Sequence, residues 1–157
     1  MSPSHRPAAQ ASRTSEASLA SLPSRSATLR RIILANSHSS PAQAFNTIGA
    51  LLFNFPLPAR FQAELYAVLM SLPGVHFTRH AVDAAGRHGV GLYRIQHGYL
   101  DEIIINPRTY LYMGGLTIAA RGHTSYSTLL AHPRKATIIA WGATLGSGIV
   151  SRAGQVP

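Results

Sequence analysis

The sequence contains no cysteine and only five acidic residues among 157. The absence of cysteine excludes disulfides, thiolate zinc sites and thiol nucleophiles, and it leaves the redox compartment undetermined. No apolar run approaches the roughly 20 residues that a membrane-spanning helix requires. Charged residues make up 12% of the chain and hydrophobic residues 46%, a balance that is typical of a chain with a packed core.

The shortage of acidic residues leaves a net charge of +9, which is unevenly spread. Residues 1–40 hold five arginines and one glutamate, and they are rich in serine, alanine and proline. Such a segment buries too little apolar surface to offset the entropy of ordering, so we predict a disordered basic tail or linker over residues 1–40. Within it, only residues 28–35 (TLRRIILA) could form a local turn of helix or a short strand.

Two helices are predicted after Pro41, because apolar residues recur there at helical spacing. The first helix runs to NFPLP (54–58), where proline removes a donor and disfavours helix in the residue before it. The second covers about 58–72 and carries a proline near its first turn, which is a favoured position. The predicted buried positions are Phe45, Ile48, Leu52 and Phe55 in the first helix, and Phe61, Leu65, Val68, Leu69 and Leu72 in the second.

Beyond Gly74 the hydrophobic period changes from helical to alternating, which indicates β-strands joined by turns. The predicted strands are Val75–Val82, His88–Gln96, Tyr99–Ile105, Tyr110–Ala120 and about 136–152, with turns at 83–87, 97–98 and 106–109 and a loop at 121–135. We therefore predict an α+β domain over residues 41–157. Its sheet is an antiparallel, half-barrel-like meander of about five strands with one face covered by the helices.

The adjacent pair Asp101 and Glu102 is the first candidate for acid–base chemistry. Neighbouring side chains of a strand point to opposite faces, so these two carboxylates cannot serve one site unless the strand bulges. We expect one of them at the solvent rim and the other beside an arginine such as Arg94 on the neighbouring strand.

Histidine, serine and glycine give no recognisable catalytic or metal-binding motif. His76 and His80 share a strand face but lie roughly 13 Å apart, too far for one ion. The serines in GHTSYS (122–127) and LGSGIV (145–150) do not match the nucleophile elbow. The glycines of the second stretch do not lead from a strand into a helix, as a dinucleotide-binding loop requires. We therefore expect no enzyme activity, no cofactor and no metal.

Tyrosines interleaved with arginines offer an alternative, a stacking platform for single-stranded nucleic acid on a basic module. The residues concerned are Tyr93, Tyr99, Tyr110, Tyr112 and Tyr126, with Arg94, Arg108 and Arg121. Tyr110 and Tyr112 are predicted to share a strand face. No RNP-like motif accompanies them, and aromatic residues are ordinary constituents of strands.

Four stretches follow one another in a distinctive order: LPGV (72–75), DAAGRHGVGL (83–92), DEIIINPRTYLYMGG (101–115) and GIVSRAGQVP (148–157). They resemble the C-terminal region of an actinobacterial membrane-anchored family that is often encoded beside extracytoplasmic-function sigma factors. The resemblance implies an extracytoplasmic α+β domain, similar to the half-barrel of periplasmic lipoprotein carriers and anti-sigma sensor domains. It carries over no functional residue, because each motif is a turn or a strand edge. The family's membrane helix and first half of the ectodomain have no counterpart here, so we expect a truncated chain.

The strand over residues 99–106 is apolar on both alternating faces, whereas a sheet covered on one face only should be polar on the other. We therefore expect a non-enzymatic, envelope-associated domain that binds a lipid-like ligand or a protein partner through the concave side of its sheet. The side chains predicted to line this surface are Ile103, Ile105, Leu111, Met113 and Trp141. Alternatively, residues missing from this chain would cover that face, and the chain is then a functionless fragment.

Overall fold

The computed structural model of the chain describes residues 26–119, 137–146, 148, 151, 152 and 155. Within them, three helices precede five strands. The helices are α1 (Ser26–Asn36), α2 (Pro41–Asn54) and α3 (Ala59–Met70). The strands are β1 (Val75–Val82), β2 (His88–Gln96), β3 (Tyr99–Ile105), β4 (Tyr112–Ala119) and β5 (Thr137–Trp141).

Helix α1 lies where the sequence predicted a tail or linker. Its side chains Leu29 and Ile33, one helical turn apart, are 1% and 4% exposed and belong to the main core. The helix packs against α2 and α3, and Arg30 Nε donates a hydrogen bond to Ser71 Oγ at 3.0 Å. The predicted disordered tail is therefore wrong for residues 26–36. The surface that buries Leu29 and Ile33 comes from distant parts of the chain, which a local pattern does not show. Residues 1–25 lie outside the described part.

Helices α2 and α3 follow the predicted apolar stripes. Ser40 caps α2 by accepting a hydrogen bond from the Gln43 N–H at 3.4 Å, and Pro41, the next residue, lies in the first turn. Phe55, predicted on the stripe, is instead the extended residue that ends α2. The buried residues are Ala44, Phe45, Ile48 and Leu52 in α2, and Gln62, Leu65, Tyr66, Val68 and Leu69 in α3.

The five strands form one antiparallel sheet in the order β1-β2-β3-β4-β5, which confirms the predicted α+β meander. Sequential neighbours need only short connections. The tightest is His97–Gly98 between β2 and β3, where φ is 49° and 82°. Two positive values in succession are typical of a type I′ hairpin, which matches the twist of the strands it joins.

Strand β4 begins two residues later than predicted. The side-chain oxygen of Asn106 accepts hydrogen bonds from the N–H groups of Arg108 and Thr109 at 2.9 and 3.1 Å. Tyr110 is left-handed, with φ of 58°. The connection after β3 is therefore a wide turn stabilised by the asparagine, and Tyr110 lies in the turn instead of the strand.

Strand β5 is shorter than the predicted range 136–152, since regular pairing ends at Trp141. Beyond it the chain stays bound to β4 through irregular contacts, such as the 2.7 Å hydrogen bond from the Thr144 N–H to the Met113 carbonyl. The predicted loop 121–135 lies outside the described residues.

The two faces of the sheet pack into separate cores. On one face, Ile103 and Ile105 join the main core beneath the three helices. On the other face, Ala81, Ile104 and Met113 form a small cluster of their own. The apolar content on both faces of β3, noted in the sequence, therefore reflects burial on both sides.

The first and last strands meet at one end of the sheet, although the sheet does not close into a barrel. Trp141 Nε1 donates to the Val82 carbonyl at 3.0 Å, and the Ala84 N–H donates to the Gly142 carbonyl at 3.4 Å. A Cβ on Gly114 would overlap that Gly142 carbonyl, so the close approach needs glycine.

If α1 is part of the folded domain, Leu29→Ala should lower the free energy of unfolding by about 2 to 4 kcal/mol, because it leaves a cavity in the core. The exposed neighbour Arg31 provides the control, and Arg31→Ala should change it by less than about 0.5 kcal/mol. Urea denaturation followed by circular dichroism measures both. Equal stability of the two variants would show that α1 is not part of the folded core.

Candidate ligand-binding cleft

An ion pair between a buried carboxylate and a partly exposed guanidinium holds the end of the sheet where the two edges meet. Asp83 is fully buried, and its Oδ1 accepts hydrogen bonds from the N–H groups of Ala85 and Arg87 at 3.0 and 2.9 Å. Its Oδ2 accepts from Arg87 Nε at 2.7 Å. Arg87 Nη2 in turn donates to the carbonyls of Met113 and Thr144 at 3.2 and 2.8 Å. The turn between β1 and β2 is thereby tied to β4 and to the segment after β5.

The surroundings of Asp83 determine its ionisation. Burial alone would raise the pKa of its carboxyl group, but the hydrogen bonds from the side chain and backbone of Arg87 and from Ala85, together with the charge of Arg87, outweigh burial and lower the pKa below its ordinary value. The carboxylate is therefore ionised at neutral pH. Burial of the charge is tolerated because both oxygens are hydrogen-bonded.

An open cleft adjoins this ion pair, and we call it the α2 cleft. Its volume is about 570 Å³. It lies between the end of α2, the turn after β3 and the segment after β5. The described residues that border it are Leu52, Phe53, Asn54, Phe55, Pro56, Gln62, Arg87, Asn106, Thr109, Leu111, Tyr112, Met113, Thr144, Leu145, Gly146 and Gly148.

Three large apolar side chains at the border of the α2 cleft are exposed to solvent. Phe53 is 72% exposed, Leu111 43% and Leu145 80%. They come from three different elements, namely α2, the turn before β4 and the segment after β5. Isolated apolar residues are common on protein surfaces, but a group of them around one concavity is typical of a binding site.

A smaller pocket of about 390 Å³ continues the α2 cleft along the helix toward β5. Phe53 and Tyr112 border both spaces. The floor between them is fixed by Gln62, whose Oε1 accepts hydrogen bonds from the Tyr112 N–H at 2.7 Å and the Tyr66 hydroxyl at 3.0 Å. Burial raises the pKa of Tyr66 and of Tyr112, so both phenols remain neutral donors at physiological pH.

The five side chains predicted to line a ligand surface do not share one face. Ile103 and Ile105 are 5% and 4% exposed within the core beneath the helices, and Met113 is 5% exposed on the opposite face. Leu111 and Met113 border the α2 cleft, whereas Ile103 and Trp141 border the smaller pocket. The expectation of one concave apolar surface is therefore corrected, because strand alternation and the bulge between β3 and β4 divide these residues.

Asp101 and Glu102 point to opposite faces, as predicted. Asp101 accepts hydrogen bonds from Thr117 Oγ1 at 2.8 Å and from Gln96 Nε2 at 3.4 Å, on the helix side of the sheet. The expected partner Arg94 is directly opposite Asp101 in the register. Its guanidinium instead donates to the carbonyl of Pro73, at the tight turn that precedes β1.

Glu102 lies on the other face and is half-buried. Its carboxylate covers Gly91, where any Cβ would overlap it. It accepts no hydrogen bond from a described residue, and burial raises the pKa of its carboxyl group. Glu102 therefore differs from the solvent-exposed position that the sequence led us to expect for one of the two acids.

The histidines considered for a metal site and the tyrosines considered for a stacking platform are dispersed over the described structure. Within the described ranges, no group of three or more His, Asp or Glu side chains could hold a metal ion. Tyr93 stacks on His76, with ring centroids 5.3 Å apart. Tyr110 lies in the turn and Tyr112 at the floor of the cleft, so these two do not form the stacking platform. Tyr126 and Arg121 lie outside the described part.

Comparisons with known proteins add no identification. No protein-family model matches the chain, and no curated protein or solved structure matches it. Among the described residues, none of the helices has the length and apolar character needed to cross a bilayer.

The ion pair generates a pH-dependent stability. Because the folded pKa of Asp83 is below its unfolded value, its contribution is complete above the unfolded value of about 3.9 and is lost as the pH falls through the folded pKa. Asp83→Asn should lower the free energy of unfolding at pH 7 by about 1 to 3 kcal/mol, since it removes the charged acceptor of the partly exposed Arg87 guanidinium. The variant should also lack the loss of stability that the wild type shows below about pH 4.

Chemical denaturation between pH 3 and pH 7 tests this prediction. Asp101→Asn is the matched control, because Asp101 accepts hydrogen bonds from neutral donors only. It should lower the stability by no more than about 1 kcal/mol. An Asp83→Asn variant as stable as Asp101→Asn would show that the ion pair does not hold the sheet.

Glu102 should have the opposite effect. Because its folded pKa is raised, the ionised form is disfavoured in the folded state, and stability falls as the pH rises through the unfolded and then the folded pKa. Glu102→Gln should therefore raise the free energy of unfolding at pH 7, by less than about 1 kcal/mol because the group keeps contact with water. Denaturation at pH 7 and pH 4 measures the change, and a destabilised variant would indicate an ion pair at this position.

Proposed function

We propose that this domain is a non-enzymatic binding module that takes a lipid-like ligand in the α2 cleft. The observation that carries the proposal is the convergence of Phe53, Leu111 and Leu145, all exposed, on a concavity of about 570 Å³. Ligand pockets for small molecules occupy about 300 to 1,000 Å³ and are lined mainly by apolar groups with a few polar ones. The α2 cleft has that size, and its border combines the three exposed apolar side chains with polar ones such as Gln62 and Arg87.

The shape of the site favours a small apolar molecule over a protein partner. A stable protein interface buries about 800 Å² on each partner, whereas Phe53, Leu111 and Leu145 surround a single cleft. Transfer of a ligand's apolar surface from water into that cleft would supply the driving force, at about 25 cal/mol per Å². Gln62 holds the floor of the cleft through hydrogen bonds, so the side chains there would lose little conformational entropy when a ligand binds.

Binding fits the site better than catalysis does. Arg87 is the only charged side chain among the described residues that border the α2 cleft, and its guanidinium is held by Asp83. A general acid or base must lie within hydrogen-bond reach of its substrate. Asp101 and Glu102 border the smaller pocket and not the α2 cleft, and their side chains lie on opposite faces of β3.

Two further aspects of the proposal rest on the sequence. An extracytoplasmic, membrane-anchored location follows from the family resemblance alone. The alternative, a basic nucleic-acid-binding module, rests on the net charge of +9. The positions of Tyr110 and Tyr112 do not favour it.

Titration with the neutral apolar dye Nile red tests the proposed site. We expect saturable fluorescence enhancement, weakened about tenfold by Leu145→Ser or Phe53→Ser, because each removes an apolar contact worth roughly 1.5 kcal/mol. Met70 is 64% exposed at the end of α3, away from the cleft. Met70→Ser should leave the dye affinity unchanged. Absence of saturable binding, or equal weakening by all three variants, would contradict a site in the α2 cleft.

A further inference from the structure

Arg87 retains hydrogen-bonding capacity beside the α2 cleft. Its bonds to Asp83 and to the carbonyls of Met113 and Thr144 use Nε and Nη2. Nη1 donates to no described atom. The side chain is 41% exposed and borders the cleft, so one face of the guanidinium is open to solvent.

The polar groups around this open nitrogen are complementary to an anion. Asp83, which pairs with the other side of Arg87, is fully buried and does not border the α2 cleft. No acidic residue is among the described residues of the border. The hydroxyl of Thr144, adjacent to Arg87 through its own carbonyl, also makes no hydrogen bond to a described residue. Two residues of the border therefore carry a donor without a protein acceptor, and no carboxylate competes for them among the described residues there.

From this arrangement we infer that the ligand of the α2 cleft is an amphipathic carboxylate, a fatty acid in chemical class. Arg87 Nη1 and the Thr144 hydroxyl donate to its carboxylate, and the hydrocarbon chain lies against Phe53, Leu111 and Leu145. The inference rests on the proposed function, because it assigns a head group to the same apolar site. Guanidinium–carboxylate hydrogen bonds are charge-assisted and stronger than bonds between neutral groups.

The fixed position of Arg87 supports this role. The guanidinium is already oriented by Asp83 and two backbone carbonyls, so little further side-chain entropy is lost when a carboxylate binds. Because Asp83 offsets the charge of Arg87, the preference should come from directed hydrogen bonds and not from long-range attraction. We therefore expect a moderate preference for the acid and little dependence on salt.

Displacement of Nile red by three ligands with the same chain tests the head group: dodecanoate, methyl dodecanoate and dodecylammonium, each below its micelle concentration. Dodecanoate should displace the dye at about tenfold lower concentration than the ester. Dodecylammonium should bind more weakly than the ester, because its ammonium group has no acceptor for the N–H groups of Arg87. An ester as effective as the acid, or a more effective amine, would overturn the inference while leaving an apolar site intact. If none of the three displaces the dye, the proposed function fails as well.

A nearly isosteric variant separates head-group recognition from folding. Thr144→Val removes one donor hydroxyl but keeps the backbone groups that bind Arg87 and Met113. It should weaken dodecanoate about threefold to tenfold and methyl dodecanoate less, because a neutral ester carbonyl is a weaker acceptor than a carboxylate. Thr78→Val, which removes a hydroxyl on β1 outside the cleft border, is the control and should change neither affinity. Equal loss for acid and ester in Thr144→Val would show that Thr144 acts on the cleft's shape and not on the head group.

Discussion

The ion pair of the buried Asp83 with the partly exposed Arg87 is the interaction on which the arrangement of this domain depends. A five-stranded meander has two free edges, and nothing in its local hydrogen bonding brings them together. Here the guanidinium, fixed by a fully buried carboxylate, reaches the carbonyls of Met113 and Thr144. Desolvation of the carboxylate costs free energy, which the hydrogen bonds on both of its oxygens offset. The result is a sheet drawn together at one end only.

The same pair also connects stability with the proposed function. The segment after β5 has little core of its own: Leu145 is 80% exposed. Its contacts with Arg87 and β4 keep it beside α2, and this placement creates the α2 cleft. Arg87 would therefore serve both as a structural tie and as the group that recognises a ligand's carboxylate. Such double use would limit substitution at this position more strictly than either role alone.

Much of the architecture was predictable because it follows from local patterns. The helical spacing of Ile48 and Leu52, the two-residue period after Gly74 and the turn at His97–Gly98 each act over a few residues. The sequence allowed a turn of helix over residues 28–35 but not the packing of α1 into the core, because Leu29 and Ile33 gain their burial from α2 and α3. The partner of Arg94 was also missed, because register places a residue opposite another without fixing where a long side chain reaches.

The sequence by itself determined the fold class, the order of the strands and the separation of Asp101 from Glu102, since all three follow from the backbone geometry of neighbouring residues. Only the tertiary structure decided which apolar side chains stay exposed. Leu111 and Leu145 lie 34 positions apart in the sequence, and both border one cleft. Their proximity arises because β1 and β5 meet at one end of the sheet and because Arg87 joins Met113 to Thr144. No local sequence pattern relates these residues.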